Sequence, residues 1–184
     1  MSDRRYRVEI LSDAHDRAAF SCGEDALDRY LREFAGQDVA RGFAVVYVLV
    51  DVSTPTMIAG FYTLSASSIP LDTFPKKITR KLPKYPHVPV SLVGRRAIDR
   101  KYQGQQCGSH LVVDALWRSC TTSEQVIGIY AVVVEAKSKG VLPFYERLGF
   151  VQFQDNPLRL FIPIKTAREA LHRLLPDAPR QAGI

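Results

Sequence analysis

Val93-Gly94-Arg95-Arg96-Ala97-Ile98-Asp99-Arg100-Lys101-Tyr102-Gln103-Gly104-Gln105-Gln106-Cys107-Gly108-Ser109 decides how this chain folds. It reads as an apolar strand, then a basic turn containing glycine, then a helix from Ser109 to about Thr122. Leu111, Ala115 and Arg118 recur at helical spacing, with Val112 and Leu116 beside them. A turn of this kind leaves backbone N–H groups unpaired and aimed outward as it enters the helix, and such a site receives phosphate. The candidate contacts are Gln103, Gly104, Gln105, Gln106, Cys107, Gly108 and Ser109.

Working outward, Tyr6 to Leu11 alternates as a strand, and Phe20 to Gly23 is a turn. Glu24 to Arg41 reads as an amphipathic helix with Leu27, Tyr30, Leu31, Phe34 and Ala35 on one face, closed by Gly42. Ala44 to Asp51 and Met57 to Ile69 are apolar runs around Ser53-Thr54-Pro55-Thr56, which predicts a hairpin. Leu71 to Tyr85 is a basic, proline-punctuated loop with a short helix at Lys76 to Lys81. Val88 to Ile98 is the strand before the turn, and Ile127 to Glu135 is a buried strand. Ser138 to Leu148 is a helix stopped by Gly149. Phe150 to Phe153 and Leu160 to Ile164 are the last strands, and Thr166 to Leu175 is a terminal helix. This interleaving predicts an α/β architecture: a mixed sheet of six to seven strands flanked by helices, one domain over residues 1–175, and a frayed tail at 176–184.

The 184 residues are 46% hydrophobic and 24% charged, as in ordinary globular proteins. No apolar run approaches the roughly 20 residues needed to span a bilayer, and no signal-peptide core follows Met-Ser-Asp-Arg-Arg-Tyr. A cytoplasmic protein without a membrane partner is expected. Cys22, Cys107 and Cys120 are too sparse for a disulfide framework or a metal site. Cys107 reads as a small residue packing the turn, since a catalytic thiol needs a partner to lower its pKa and only His110 lies near in sequence. Charge is uneven: Lys76 to Lys101 holds nine basic residues and one acid, a balance of +8 in a chain of net +6. A positive surface beside a phosphate-type turn points to a polyanion, although the same residues could meet cofactor phosphates or simply face solvent.

The turn resembles the acyl-CoA-binding motif of the GNAT acetyltransferases, with Gln103 at its first position, Gly108 at its last, and Gln106 where the family has glycine. Pro143-Phe144-Tyr145-Glu146-Arg147-Leu148-Gly149-Phe150 resembles a second GNAT segment. Three further blocks are similar to the GNAT toxins of type II toxin–antitoxin systems: Phe20 to Leu31, Ala59 to Leu64, and Pro89 to Asp99, the last with Arg96 where an apolar residue is usual. The resemblance covers roughly residues 5 to 165. It implies the GNAT acyl-CoA N-acyltransferase fold and transfer of acetyl from acetyl-CoA to the α-amino group of aminoacyl-tRNA, which halts translation. It also implies a ribbon-helix-helix antitoxin and dimers.

Within that implied reaction, the backbone around Ala97 and Ile98 would pair with the pantetheine arm, and Ser138 stands where GNAT proteins often hold the cofactor. Tyr145 is the candidate general acid. Lys76, Lys77, Arg80, Lys81, Lys84 and Arg95 would meet the tRNA backbone. No strong general base is evident; Glu135 and His87 are spare candidates that read more simply as surface residues. An α-amine (pKa ~7.7–8.0) needs a base less than lysine (pKa ~10.4) does. The alternatives are acetylation of a small amine, a peptide N-terminus or a protein lysine, or a non-catalytic binding module, for which Gln106 is the motive.

Overall fold

The computed structural model describes residues 5–175. The expected tail at 176–184 lies outside the described residues. The strands are β1 (Tyr6–Ile10), β2 (Val45–Asp51), β3 (Thr54–Pro70), β4 (His87–Ile98), β5 (Ala131–Glu135), β6 (Val151–Gln152) and β7 (Arg159–Pro163). The helices are α1 (Asp25–Arg29), α2 (Ala35–Ala40), α3 (Lys76–Thr79), α4 (Cys107–Gln125), α5 (Leu142–Leu148) and α6 (Ile164–Leu174). The seven strands form a mixed sheet, as the alternation of strands and helices predicted, and their order in it is β1-β2-β3-β4-β5-β7-β6. The chain gathers into two compact units. One runs to Ser67 and resumes over Ser91–Ala115; the other takes Ser68–Val90 and the chain from Leu116 onward.

In the first unit β1 pairs antiparallel with β2 from Tyr6↔Asp51 to Ile10↔Tyr47. β2 pairs antiparallel with β3, but the register runs Leu49↔Gly60 then Val50↔Ile58. Ala59 is thus a bulge residue, and its carbonyl accepts the Asp99 N–H at 2.9 Å. The core is Phe61 with Phe20 edge-on at 5.4 Å and Tyr30 stacked at 6.2 Å, surrounded by Leu31, Ala35, Val46 and Val48.

The amphipathic helix expected over residues 24–41 is real but interrupted. α1 and α2 are joined by a π turn, Tyr30–Phe34, in which the Ala35 N–H reaches the Tyr30 carbonyl. One extra residue in that turn rotates the helix face. Ala35 therefore points into the core, while Phe34, expected in the core, is 41% exposed. A period of 3.6 cannot register such an insertion.

In the second unit β5 pairs antiparallel with β7 from Ala131↔Pro163 to Glu135↔Arg159, and β6 pairs antiparallel with β7. Val132, Val133, Leu160, Phe161 and Ile162 are fully buried. Phe74 carries the proline-rich segment into this core, with Phe161 at 4.8 Å and Phe153 at 4.9 Å. Several boundaries differ from the sequence reading, two of them for a visible local reason. β5 begins at Ala131 rather than Ile127, because α4 runs on to Gln125 and Val126 and Ile127 turn back toward the Thr122 carbonyl, exposed. The helix expected at Ser138 starts as a 3-10 turn, Lys139–Val141, and becomes α-helical at Leu142, where Pro143 in the first turn sets the backbone. Among the described residues no helix is long and apolar enough to cross a membrane, and no cluster of His, Cys, Asp and Glu suits a metal ion.

The β2–β3 turn provides an acid-sensitive fastening. Asp51 accepts from the Ser53 hydroxyl (2.6 Å), the Ser53 N–H (2.9 Å) and Arg5 Nε (3.0 Å). These bonds, the Ser53 pair first, hold its pKa at about 2. A depressed carboxylate stabilises the fold above its unfolded pKa of ~3.9, and that contribution is lost as pH falls toward about 2. Asp51→Asn is expected to flatten the loss of stability between about pH 4 and about pH 2, followed as the urea midpoint. Parallel curves for variant and wild type would refute this.

Candidate active site

The turn after β4 is organised around a buried carboxylate. Asp99, 5% exposed, accepts the Ser21 N–H and the Lys101 N–H, each at 2.9 Å. The Arg100 N–H donates to the Ser21 carbonyl at 2.9 Å. Gln103 extends this tie, since its amide donates to the Cys22 carbonyl (3.1 Å) and the Ile98 carbonyl (3.0 Å). Gln103 is thus engaged in positioning the turn, and the Ile98 carbonyl already has one donor. Gly23 sits beneath Arg100 with φ 95°, and a Cβ there would lie 2.9 Å from Arg100 Nε. Ala97 is buried, and Gly60 lets β3 approach it: a Cβ on Gly60 would lie 3.0 Å from the Ala97 carbonyl and 2.6 Å from Ile98 Cδ1.

Past Gln103 the backbone turns left-handed twice, at Gly104 (φ 79°) and at Gln106 (φ 60°). Gln106 is the only non-glycine with positive φ among the described residues. It stands where glycine is usual, and it keeps the glycine conformation at a cost of about 1–2 kcal/mol. α4 then begins at Cys107, two residues before the expected Ser109. Ser109 and His110 N–H groups turn back to the Gln106 carbonyl (3.0 and 3.3 Å), while Cys107 and Gly108 precede any intrahelical acceptor. A Cβ on Gly104 or Gly108 would meet nothing within 4 Å, so the main chain is approachable from outside. This geometry fits a pyrophosphate.

Three supports of the turn were invisible in sequence. Tyr6 of β1 donates to Gln105 Oε1 at 2.8 Å and sets its ring edge-on to Tyr102 and His110. Tyr62 of β3 donates to Asp114 of α4 at 2.6 Å, and Ser119 and Cys120 complete the buried face of that helix, while Arg118 lies at its margin. Asp28 accepts from the Cys22 N–H (2.8 Å) and the Ser21 hydroxyl (3.3 Å). Burial pushes the Asp28 carboxyl up, but these bonds outweigh it and leave its pKa below the usual value. Cys107 is 1% exposed and burial pushes its thiol pKa up, which is a packing thiol rather than an activated nucleophile.

The second unit carries the other candidates. Tyr145 in α5 is 1% exposed, edge-on to Phe144 and to Phe150, each at 5.2 Å. Gly149 (φ 98°) ends the helix, and the Phe150 N–H returns to the Tyr145 carbonyl at 3.1 Å. Ser138 is exposed ahead of the 3-10 turn, with its carbonyl accepting the Val141 N–H at 3.3 Å. Glu135 and His87 are exposed strand ends. Lys76, Lys77, Arg80, Lys81 and Lys84 are all exposed around α3. Arg95 belongs to the first unit instead, with its guanidinium 4.1 Å from the centre of the Tyr30 ring. The Tyr30 phenol donates to Asp38 at 2.9 Å; burial first, then Asp38, pushes its pKa up to about 12.

No family model matches this chain. It is 36% identical over 158 residues to the tRNA-acetylating toxin of Mycobacterium tuberculosis (strain ATCC 25618 / H37Rv), across 86% of this chain and 92% of that protein. The chain belongs to the GNAT toxins. Among solved GNAT toxins, a tyrosine-to-phenylalanine mutant of KacT matches with 34% identity and a TM-score of 0.81, over 90% of this chain and 99% of that one. AtaT complexed with acetyl-methionyl-tRNAfMet matches with 32% identity and a TM-score of 0.80, over 89% and 98%. A tyrosine-to-phenylalanine mutant of AtaT, bound to the C-terminus of the antitoxin AtaR and acetyl-CoA, matches with 30% identity and a TM-score of 0.72, over 90% and 97%.

Within the GNAT toxin fold, the Gln106 conformation and the Asp99 bonds make separable claims. Gln106→Gly is expected to raise stability by up to about 1 kcal/mol, the left-handed penalty less the entropy cost of glycine. Calorimetry checks this, and an unchanged or lower Tm would contradict it. Asp99→Ala is expected to cost about 2 kcal/mol in urea unfolding, because the partly buried N–H groups of Ser21 and Lys101 lose their acceptor.

Proposed function

We propose that this chain is an acetyl-CoA-dependent N-acetyltransferase that acetylates the α-amino group of aminoacyl-tRNA and thereby halts translation. The observation that carries the proposal is the left-handed turn Gly104–Gln106, which delivers open backbone amides at the head of a 19-residue helix in a chain of this family. The amides of Gly104, Gln105, Gln106, Cys107 and Gly108 would hold the pyrophosphate of acetyl-CoA, with Ser109, whose N–H is bonded to the Gln106 carbonyl, closing the first turn beside it. Main-chain groups at Ala97 and Ile98 would lie along the pantetheine arm, and Ser138 would contribute a hydroxyl.

Acetyl-CoA supplies a thioester carbonyl. The amine nitrogen bonds to that carbon, the carbon–sulfur bond breaks with its electron pair leaving on sulfur, and the amine sheds a proton to solvent. Tyr145 donates the proton that the sulfur takes up. A phenol with pKa near ~10 can do this for an unstable thiolate in a dry site, and Tyr145 sits among Phe144 and Phe150. Tyrosine-to-phenylalanine mutants of KacT and AtaT are both among the solved structures this chain resembles, which supports a tyrosine in this role. An α-amine acceptor, partly neutral at ordinary pH, requires no dedicated base.

Lys76, Lys77, Arg80, Lys81, Lys84 and Arg95 would neutralise tRNA phosphates. We further infer a ribbon-helix-helix antitoxin, a homodimer, and a cytoplasmic site of action, where charged tRNA is used. Transfer of labelled acetyl from acetyl-CoA to a pool of charged tRNA tests the proposal. Tyr145→Phe is expected to cut the rate by roughly 10²–10⁴-fold with acetyl-CoA affinity retained. Wild-type protein that binds acetyl-CoA yet leaves tRNA unlabelled would overturn the reading and direct attention to small amines and peptide N-termini.

A further inference from the structure

The second unit holds a cavity of ≈ 570 Å³ lined by two of the lysines assigned above to tRNA, Lys76 and Lys84. We propose that it receives one unpaired nucleotide of the RNA substrate, with the base stacked on Tyr85 and the phosphate drawn to Lys76 and Lys84; this rests on the aminoacyl-tRNA reading. Phe74 lines the cavity and is itself fixed, 1% exposed and held edge-on by Phe153 and Phe161. Tyr85 lines it too, yet is 70% exposed, so its ring is offered rather than packed.

The segment that presents Tyr85 is stiff. Pro86 follows it and confines Tyr85 to extended backbone. The Pro86 carbonyl accepts the Leu71 N–H at 3.0 Å. Lys84 Nζ donates to the Thr79 carbonyl at 3.1 Å, closing the loop against the end of α3. A backbone already held in place loses little freedom when the ring it carries binds. Rings presented in this way, next to cations, are the stacking platforms of single-stranded nucleic-acid sites.

The charges around the cavity select the occupant. Lys76 and Lys84 supply positive charge, and Lys77, Arg80 and Lys81 extend it outward. Asp72 also lines the cavity and can only accept a hydrogen bond when ionised. It suits the exocyclic amino group of a base and opposes an acidic peptide. A nucleotide combines an amino-bearing base, a flat face and a phosphate, and so satisfies Asp72, Tyr85 and the lysines together.

The experiment pairs binding with turnover. Binding of a short labelled single-stranded RNA is read by fluorescence anisotropy for wild type, Tyr85→Ala and Tyr85→Trp. Tyr85→Ala is expected to weaken binding by roughly 5- to 150-fold, the range for one lost base stack, while Tyr85→Trp retains it. In acetyl transfer, Tyr85→Ala should raise KM for aminoacyl-tRNA with kcat and acetyl-CoA affinity unchanged. Wild-type RNA affinity in Tyr85→Ala, or equal loss in Tyr85→Trp, overturns the nucleotide site even if transfer to tRNA proceeds. If wild type transfers no acetyl to tRNA while Tyr85→Ala alone loses RNA binding, the cavity stands and the proposed reaction falls.

Discussion

The placement of the turn after β4 depends on one buried carboxylate. Asp99 closes the end of β4 by accepting main-chain N–H groups from Ser21 and Lys101. An ionised acceptor bound by two amides is shielded from water and directional, so it fixes the turn more firmly than apolar packing would. It also ties two sequence blocks that lie far apart in the chain. The Phe20-to-Gly23 turn and the Asp99-to-Gln103 segment are one hydrogen-bonded assembly, with Gln103 as the second strap and Gly23 allowing Arg100 to lie close.

Around that assembly the chain breaks local rules where the site is built. Gln106 adopts a backbone conformation glycine would take at no cost. The helix through Tyr30 carries a π turn, which brings Tyr30 against Phe61 and under Arg95. Departures of this kind survive only when the surroundings over-determine them. Here Tyr6 braces Gln105 from one side, and α4, pinned by the Tyr62–Asp114 bond, holds the other.

The second unit works by different means. Its supports are aromatic edges: Phe144 and Phe150 around Tyr145, and Phe153 and Phe161 around Phe74. Such rings exclude water and hold orientation without charge. The lysines around α3, by contrast, are exposed.

The order of strands and helices, the strand-turn-helix motif, Gly149 as a helix stop and Leu71-to-Tyr85 as a basic loop were legible in sequence, because periodicity, glycine and charge act locally. The blocks that resemble the GNAT toxins were legible too, since each is a run of neighbouring residues. What only the tertiary structure decided is how residues far apart share one hydrogen bond. In sequence Gln103 is only a motif position, and the Cys22 and Ile98 carbonyls that its amide meets come from packing; Asp99 likewise reads as the end of a strand until Ser21 arrives. Phe34 reads as core until the π turn rotates it outward. A sequence specifies which groups can donate and accept; the partner each one finds is set by packing over the whole chain.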